Sequence, residues 1–413
     1  MQTHLADLIK DTPEGREADS ILRTCVHCGF CLATCPTYQL LGDELDSPRG
    51  RIYLIKQMLE GEPVTKKTQL HLDRCLTCRA CETTCPSGVK YGHLIDIGRG
   101  IAEKIVGRTP VQALQRKALR TVLPNQMLFT PLVNLGRAVR PLLPGAIKKS
   151  VPLAKPATSW PQTKHSRIML VLDGCVQPSL EPNINAATAR LLDKLGVTLV
   201  RAEKAGCCGA VSYHLNAQDE GLNAMRRNID AWLPYLEQGA EAIVMTASGC
   251  GVTVKEYGYL LKHDPVYADK AARISAATKD ISEILLAEQD RLVDLLTGSN
   301  AASKTRGTKL AFHSPCTLQH GQKITGVIEA MLTAAGFELA QVPDKHLCCG
   351  SAGTYSILQK ALSQQLLQNK VAALQTETPR LIATANIGCL MHLQTRTDTP
   401  VKHWVEILDE VLS

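Results

Sequence analysis

The chain has 413 residues, 45% hydrophobic and 21% charged, which suits two or three globular domains with real cores. Its longest apolar runs, such as "IMLVL" at 168–172, fall far short of the roughly 18–20 residues that cross a bilayer. The formal net charge of +7 is local: Lys104 to Leu172 carries twelve Lys/Arg and no Asp or Glu, while the remainder sets 34 Lys/Arg against 39 Asp/Glu, so the protein is not broadly basic.

Residues 1–20 are polar, contain acidic side chains and lack an apolar h-region. They read as a peripheral helix or arm and not as a secretory leader, which predicts a cytoplasmic protein with reduced thiols. Sixteen cysteines then call for an explanation other than a disulfide framework, and metal ligation supplies it.

Residues 21–100 hold eight of them. "CVHCGFCLATCP" places cysteines at 25, 28, 31 and 35, and "CLTCRACETTCP" repeats the spacing at 75, 78, 81 and 85. Three thiolates at i, i+3 and i+6 wrap three corners of a cubane, and the fourth reaches the other cluster. This predicts one [4Fe–4S] cluster on Cys25, Cys28, Cys31 and Cys85, and a second on Cys75, Cys78, Cys81 and Cys35. Zinc sites use two separated C-x₂-C pairs instead. Pro36 and Pro86 are expected to end each loop. Between the motifs, "DSPRGRIYLIKQMLEG" predicts a helix capped by Asp46 or Ser47, with Pro48 in its first turn and Gly61 as its stop. The two motifs fall at about 16–47 and 66–97.

Residues 101–165 hold no cysteine and form a basic, Pro-rich linker. "VQALQRKALRTVL" and "PLVNLGRAVRPLL" mix aliphatic and cationic residues at helical spacing, as membrane-surface helices do. Prolines 131, 141 and 144 are expected to break that face, so packing on the ferredoxin module or on a partner is the preferred reading.

Residues 166–295 and 305–413 are duplicates. Cys175 to Cys207 spans 32 residues, as does Cys316 to Cys348; Cys208 to Cys250 spans 42 and Cys349 to Cys389 spans 40. In each copy short β-branched runs alternate with helical periods. In the first, "LVLDGC", "VTLVRA" and "AIVMTA" read as buried strands, and "AATARLLDKLG" as a helix ending at Gly196. The fold class is therefore α+β multidomain: a helical two-cluster module, then two α/β cysteine-rich domains with small parallel sheets. Cys175, Cys250, Cys316 and Cys389 each follow a strand directly, where ligands gather in such sheets. Adjacent cysteines do not readily bridge each other, but two consecutive thiolates can face one centre, with Gly209 and Gly350 expected to let the backbone come close. Cys175, Cys207, Cys208 and Cys250, and likewise Cys316, Cys348, Cys349 and Cys389, form a candidate additional metal or redox site, iron–sulfur or zinc.

Two ferredoxin motifs followed by two CCG domains resemble the iron–sulfur electron-transfer family that includes heterodisulfide reductase, lactate-utilisation and anaerobic glycerol-3-phosphate dehydrogenase subunits. "HLDRCLTCRACETTCPSGV", "AGCCGAVSYHLNAQ", "TASGCGVTVKEYG", "SPCTLQH" and "HLCCGSAGTY" are similar, within it, to the glycolate oxidase iron–sulfur subunits. The resemblance runs over most of the chain. It implies a relay of electrons from partner flavoprotein subunits carrying FAD, which oxidise glycolate to glyoxylate, through two [4Fe–4S] clusters to an acceptor such as a membrane quinone, with the chain peripheral on the cytoplasmic face of the inner membrane. No substrate site and no catalytic residue are expected here; the chain has no G-x-G-x-x-G after a strand and no phosphate loop, and hydride chemistry belongs to a cofactor. Lactate or glycerol-3-phosphate as the complex's substrate, and disulfide reduction, are the alternatives. A zinc-stabilised nucleic-acid binder is remote, since only 4% of residues are aromatic and such proteins stack bases on aromatics; no nucleic acid is expected. One departure stands out. The family's CCG pattern ends in C-x₂-C, yet here Thr253 and His392 occupy the last position, and Ser314 stands where some relatives carry a further cysteine. His392 is a conceivable substitute ligand.

Overall fold

The computed structural model describes residues 1–145, 148 and 151–413; the rest of the expected linker lies outside the described residues. The N-terminal third is helical. Pro13–Thr24, Pro48–Leu59, Lys66–Asp73 and Tyr91–Val106 bury Leu22, Ile55, Leu72, Leu94 and Ile95 in one apolar cluster with Cys25, Cys75 and Cys81. Ser47, not Asp46, caps the Pro48 helix by accepting from the Gly50 N–H at 2.9 Å, and Gly61 follows its end at φ 94°. Asp46 is spent elsewhere: wholly buried, it meets Arg51 at 3.2 Å and Arg74 at 2.7 Å.

The duplicated region forms two four-stranded parallel sheets of identical order. β1 (Arg167–Val171), β2 (Val197–Arg201), β3 (Ile243–Met245) and β4 (Thr278–Asp280) lie as β2-β1-β3-β4. β5 (Lys309–His313), β6 (Glu338–Leu339), β7 (Leu381–Thr384) and β8 (Val401–His403) lie as β6-β5-β7-β8. β3 is buried along its whole length, as expected where helices cover both faces of a parallel sheet. In each sheet the first strand is flanked by the second and third, so the chain leaves it in both directions and a crevice opens at its carboxyl end.

The two copies share a core. The Asn183–Lys194 helix of the first packs on Trp404–Leu412 of the second, and Ile281–Ala287 of the first packs on Val327–Ala334 of the second. Each copy's closing helix therefore covers the other's opening helix. One apolar cluster, with Leu192, Leu285, Leu332, Trp404 and Leu408, runs through both. Full burial of each such aliphatic side chain contributes about 1.5–3 kcal/mol. At the seam the Ser248 N–H donates to Ala385 O at 3.2 Å, and His403 Nε2 lies 2.9 Å from Thr246 O.

Between these parts, Pro110–Val122 and Gln126–Val139 are helices with no buried residue. The second runs through Pro131, against the expected break, and ends only before Pro141. No helix among the described residues is long and apolar enough to cross a membrane.

Candidate metal centres

Each ferredoxin loop starts where a helix stops, at Cys25 after Pro13–Thr24 and at Cys75 after Lys66–Asp73. The backbones then match. His27 and Gly29 in the first loop have φ of 57° and 85°; Thr77 and Arg79 in the second have 53° and 60°. Non-glycine residues held in this region cost free energy and mark loops shaped for a purpose. The turn bonds also repeat: Leu32 N–H to Gly29 O and Cys35 N–H to Leu32 O in one, Glu82 N–H to Arg79 O and Cys85 N–H to Glu82 O in the other. Left-handed residues at alternate positions keep turning the chain, so successive sulfurs face one centre. Pro36 opens the Pro36–Leu41 helix at its first turn, where its missing N–H is no loss, rather than only ending the loop.

Two adjoining hollows result. The first has an empty volume of about 440 Å³ and is lined by Cys25, Cys28, Cys31, Cys81 and Cys85. The second, about 300 Å³, is lined by Cys35, Cys75, Cys78 and Cys81. Pro48, Cys81 and Tyr91 line both, so one wall of side chains separates them. The thiols predicted for each cluster are brought together around one hollow, the crossed fourth cysteine included. Burial pushes the Cys31 thiol up to about 11 and those of Cys78 and Cys81 well up. Thiols so placed stay protonated until a cation compensates the thiolate charge. A soft, cationic iron–sulfur core fits this donor set and these two spaces.

The hollows differ in setting. Val26 and Phe30, on the rim of the first, are 68% and 63% exposed, and Cys28 is exposed as well. The second is walled by the buried Arg51, whose guanidinium donates to His71 O at 2.7 Å and to the Thr37 hydroxyl at 3.1 Å. The Thr77 N–H and Tyr91 O–H donate to Cys75 Sγ at 3.4 and 3.7 Å. On its far side Cys78 and Leu76 pack with Cys316, Cys348, Tyr355 and Leu366 of the second cysteine-rich domain.

In that region each copy brings its four cysteines together at the sheet crevice. In the first, Cys175 and Cys208 flank Cys207 and hold its thiol well below the usual range, and Cys208 lies beside Cys250. Asn228 fixes the pair by accepting from Gly206 N–H and donating to Cys207 O at 2.9 Å, and the Tyr257 hydroxyl donates to Cys208 O at 2.8 Å. In the second, Cys316 Sγ lies 3.8 Å from Cys348 Sγ, and Cys349 contacts both Cys348 and Cys389. The glycines act differently from expectation. A Cβ on Gly209 would sit 2.7 Å from Gly221 O, and one on Gly350 would sit 2.6 Å from Ser363 O. Both glycines, at φ 91° and 87°, admit a neighbouring helix rather than a metal centre.

His392, the suggested substitute ligand, spends Nε2 on the Ser363 hydroxyl at 3.2 Å. The histidine that does lie against the thiols is one that sequence reasoning passed over: His313, 2% exposed, with both ring nitrogens unpartnered beside Cys349 and Cys389. The only signal in sequence is that a polar residue closes the otherwise apolar end of "KLAFH".

Comparison with known proteins agrees with this layout. A 4Fe-4S dicluster domain matches residues 21–89, and a cysteine-rich domain matches twice, at 169–255 and 310–394. The chain is 54% identical over its whole length to the glycolate oxidase iron-sulfur subunit of Escherichia coli strain K12, covering 99% of that protein. It is 31% identical to the probable glycolate oxidase iron-sulfur subunit of Bacillus subtilis strain 168, over 90% of this chain and 88% of that one. Lactate utilization protein A of Bacillus licheniformis is 28% identical over 57% of this chain. Two ferredoxin loops feeding a duplicated cysteine-rich region, shared end to end with such relatives, place this chain in the family of glycolate oxidase iron–sulfur subunits.

Proposed function

We propose that the chain is the electron-relaying subunit of a glycolate-oxidising complex, holding one [4Fe–4S] cluster on Cys25, Cys28, Cys31 and Cys85 and a second on Cys75, Cys78, Cys81 and Cys35. The observation that carries this reading is the pair of adjoining thiol-lined hollows in a chain of this family. Such clusters, when bound, accept and release single electrons without making or breaking substrate bonds. The protein's part is positional. Matched loops present the sulfurs, one shared wall keeps the two spaces adjacent, and the surrounding helices bury four of the eight cysteines, Cys25, Cys35, Cys75 and Cys81. The exposed Val26–Phe30 rim suits docking of a flavoprotein partner, which supplies the two-electron hydride chemistry absent here.

The acceptor proposed is a membrane quinone, with the complex peripheral on the cytoplasmic face of the inner membrane. The unburied helices after residue 109 support it: Val111, Leu114, Met127 and Leu142 are all exposed, next to Lys117 and in a stretch free of acidic residues. The test is anaerobic mixing of substrates with the complex assembled from this chain and its flavoprotein partners. Glycolate should bleach the visible iron–sulfur absorption, while lactate and glycerol-3-phosphate leave it. Bleaching by lactate and not by glycolate would replace the substrate assigned here.

A further inference from the structure

We propose that the second cysteine-rich domain holds one zinc-class divalent ion on His313, Cys349 and Cys389, with Cys348 as the fourth ligand, and that the first domain has no such site. One ligand atom from each of His313, Cys349 and Cys389 falls within 4.8 Å of the others. A tetrahedral ion with bonds of about 2.0–2.3 Å draws in such a set by small side-chain rotations. Cys348 lies outside that set but adjoins Cys349 on the side facing Cys316, so its thiol has to swing in to supply the fourth corner.

The histidine points to a ligand rather than to a core filler. A neutral imidazole carries one donor and one acceptor, and leaving such groups unsatisfied in the interior costs about 1–3 kcal/mol each. Both nitrogens of His313 are buried without a partner, and so is Thr384 Oγ1, directly opposite it in the β5–β7 register. Three orphan polar atoms beside two buried thiols are explained together if one ring nitrogen binds a cation and the other is left to the Thr384 hydroxyl. Charge also balances. Three thiolates and one imidazole around a divalent ion leave one negative charge. The buried Lys370 ammonium lies beside Cys348, Cys349 and Cys316, donating to Asp344 O at 2.9 Å.

The first copy has the four cysteines but not this arrangement. β1 meets β3 with Val171 opposite Val244, which puts Leu172 opposite Met245. Met245 precedes Cys250 by the interval at which Thr384 precedes Cys389, so the place of His313 is taken by Leu172, an aliphatic side chain 4% exposed. The duplication is thus chemically unequal, and the histidine stands in only one half for the cysteine missing from both.

The test uses the full chain purified without oxygen. Metal analysis should give one zinc per chain besides the roughly eight irons of two cubanes, and zinc-edge X-ray absorption should show one imidazole nitrogen with sulfur neighbours. His313→Ala should weaken zinc binding roughly tenfold or more, His313→Cys should restore it, and Cys250→Ser should leave it unchanged, all with iron and sulfide constant. The absorption measurement needs no variant, so a failure of His313→Ala to fold does not shield the proposal. A sulfur-only shell overturns it, as does zinc retained in His313→Ala or an extra metal that proves to be iron with sulfide. Absence of any metal beyond the eight irons overturns it equally.

Discussion

At the scale of single residues, two kinds of buried polar side chain bear on function: those spent on a named partner and those placed where a ligand would go. His403 belongs to the first kind. Nε2 donates to Thr246 O at 2.9 Å, Nδ1 accepts from the Val405 N–H at 3.4 Å, and Glu406 caps from below by accepting the His403 N–H. Burial pushes its pKa down to about 4, against about 6.5 when unfolded. The folded state therefore refuses a proton that the unfolded chain accepts. Stability from this group is complete above about pH 6.5 and is lost as pH falls toward 4, on the order of 3 kcal/mol in all. Denaturant titrations at intervals across that window should show the slope, and His403→Gln, which keeps one donor and one acceptor, should flatten it. A variant with an undiminished slope would assign the dependence to another group. Arg51 is a residue of the same kind: a cation 1% exposed beside the second hollow, held there by Asp46, Thr37 and a carbonyl.

At the scale of elements, strands and cysteine motifs were legible in the sequence because spacing determines them. Buried strands wrote themselves as aliphatic runs, and the grouping of the thiols around two hollows, Cys85 with the first loop and Cys35 with the second, was legible from C-x₂-C-x₂-C-x₃-C-P. The exchange of closing helices between the copies was not legible. Periodicity shows that Trp404–Leu412 has an apolar face, but not that Asn183–Lys194 of the other copy covers it. His313 was hidden for a related reason: its meaning lies in two unpartnered nitrogens, which only the folded neighbours define. The Pro131 break failed because the Gln126–Val139 helix is surface-exposed, and there a single lost hydrogen bond and a small kink can be absorbed by solvent. That helix and Pro110–Val122 hold no fully buried residue: they rest on this chain through Arg116 on Asp73 and Gln126 on Gly174 O, while Leu114, Met127 and Leu132 stay exposed and await a surface. Met127→Glu combined with Leu114→Glu and Leu132→Glu should abolish binding of the assembled complex to anionic liposomes in sedimentation, with melting of the chain unaltered. Unchanged sedimentation would reassign the helices to a protein partner.

At the scale of the whole molecule, the two-cluster module sits across both cysteine-rich domains by different means. Toward the first it uses charge: Arg79 forks onto Glu256 at 2.5 and 2.8 Å, His93 stacks on Tyr259 at 3.7 Å, and Lys262 meets Glu17 at 2.7 Å. Burial works against ionised Glu256, but the bonds from His93 and Arg79 hold it down at about 2, so the fork persists at any working pH. It also locks the backbone of Arg79, one of the left-handed residues of the second loop. Toward the second domain it uses an apolar contact and neutral hydrogen bonds: Leu76 and Cys78 pack against Cys316, Cys348 and Tyr355, the Tyr355 hydroxyl donates to Arg74 O at 3.1 Å, and Thr83 Oγ1 lies 3.0 Å from His320 Nδ1. This unequal cover has a bearing on life in air. Cys28 faces solvent while Cys78 lies under a neighbouring domain, and sulfur oxidation follows accessibility. Exposed briefly to oxygen, the protein should lose iron first from the Cys25, Cys28, Cys31 and Cys85 set, leaving a half-loaded form that Mössbauer spectroscopy distinguishes. Equal decay of the two sets would show that the second domain gives no shelter. If the rim is the docking face proposed above, an unassembled chain rusts where its partner would sit, and docking of the flavoprotein should double as its protection.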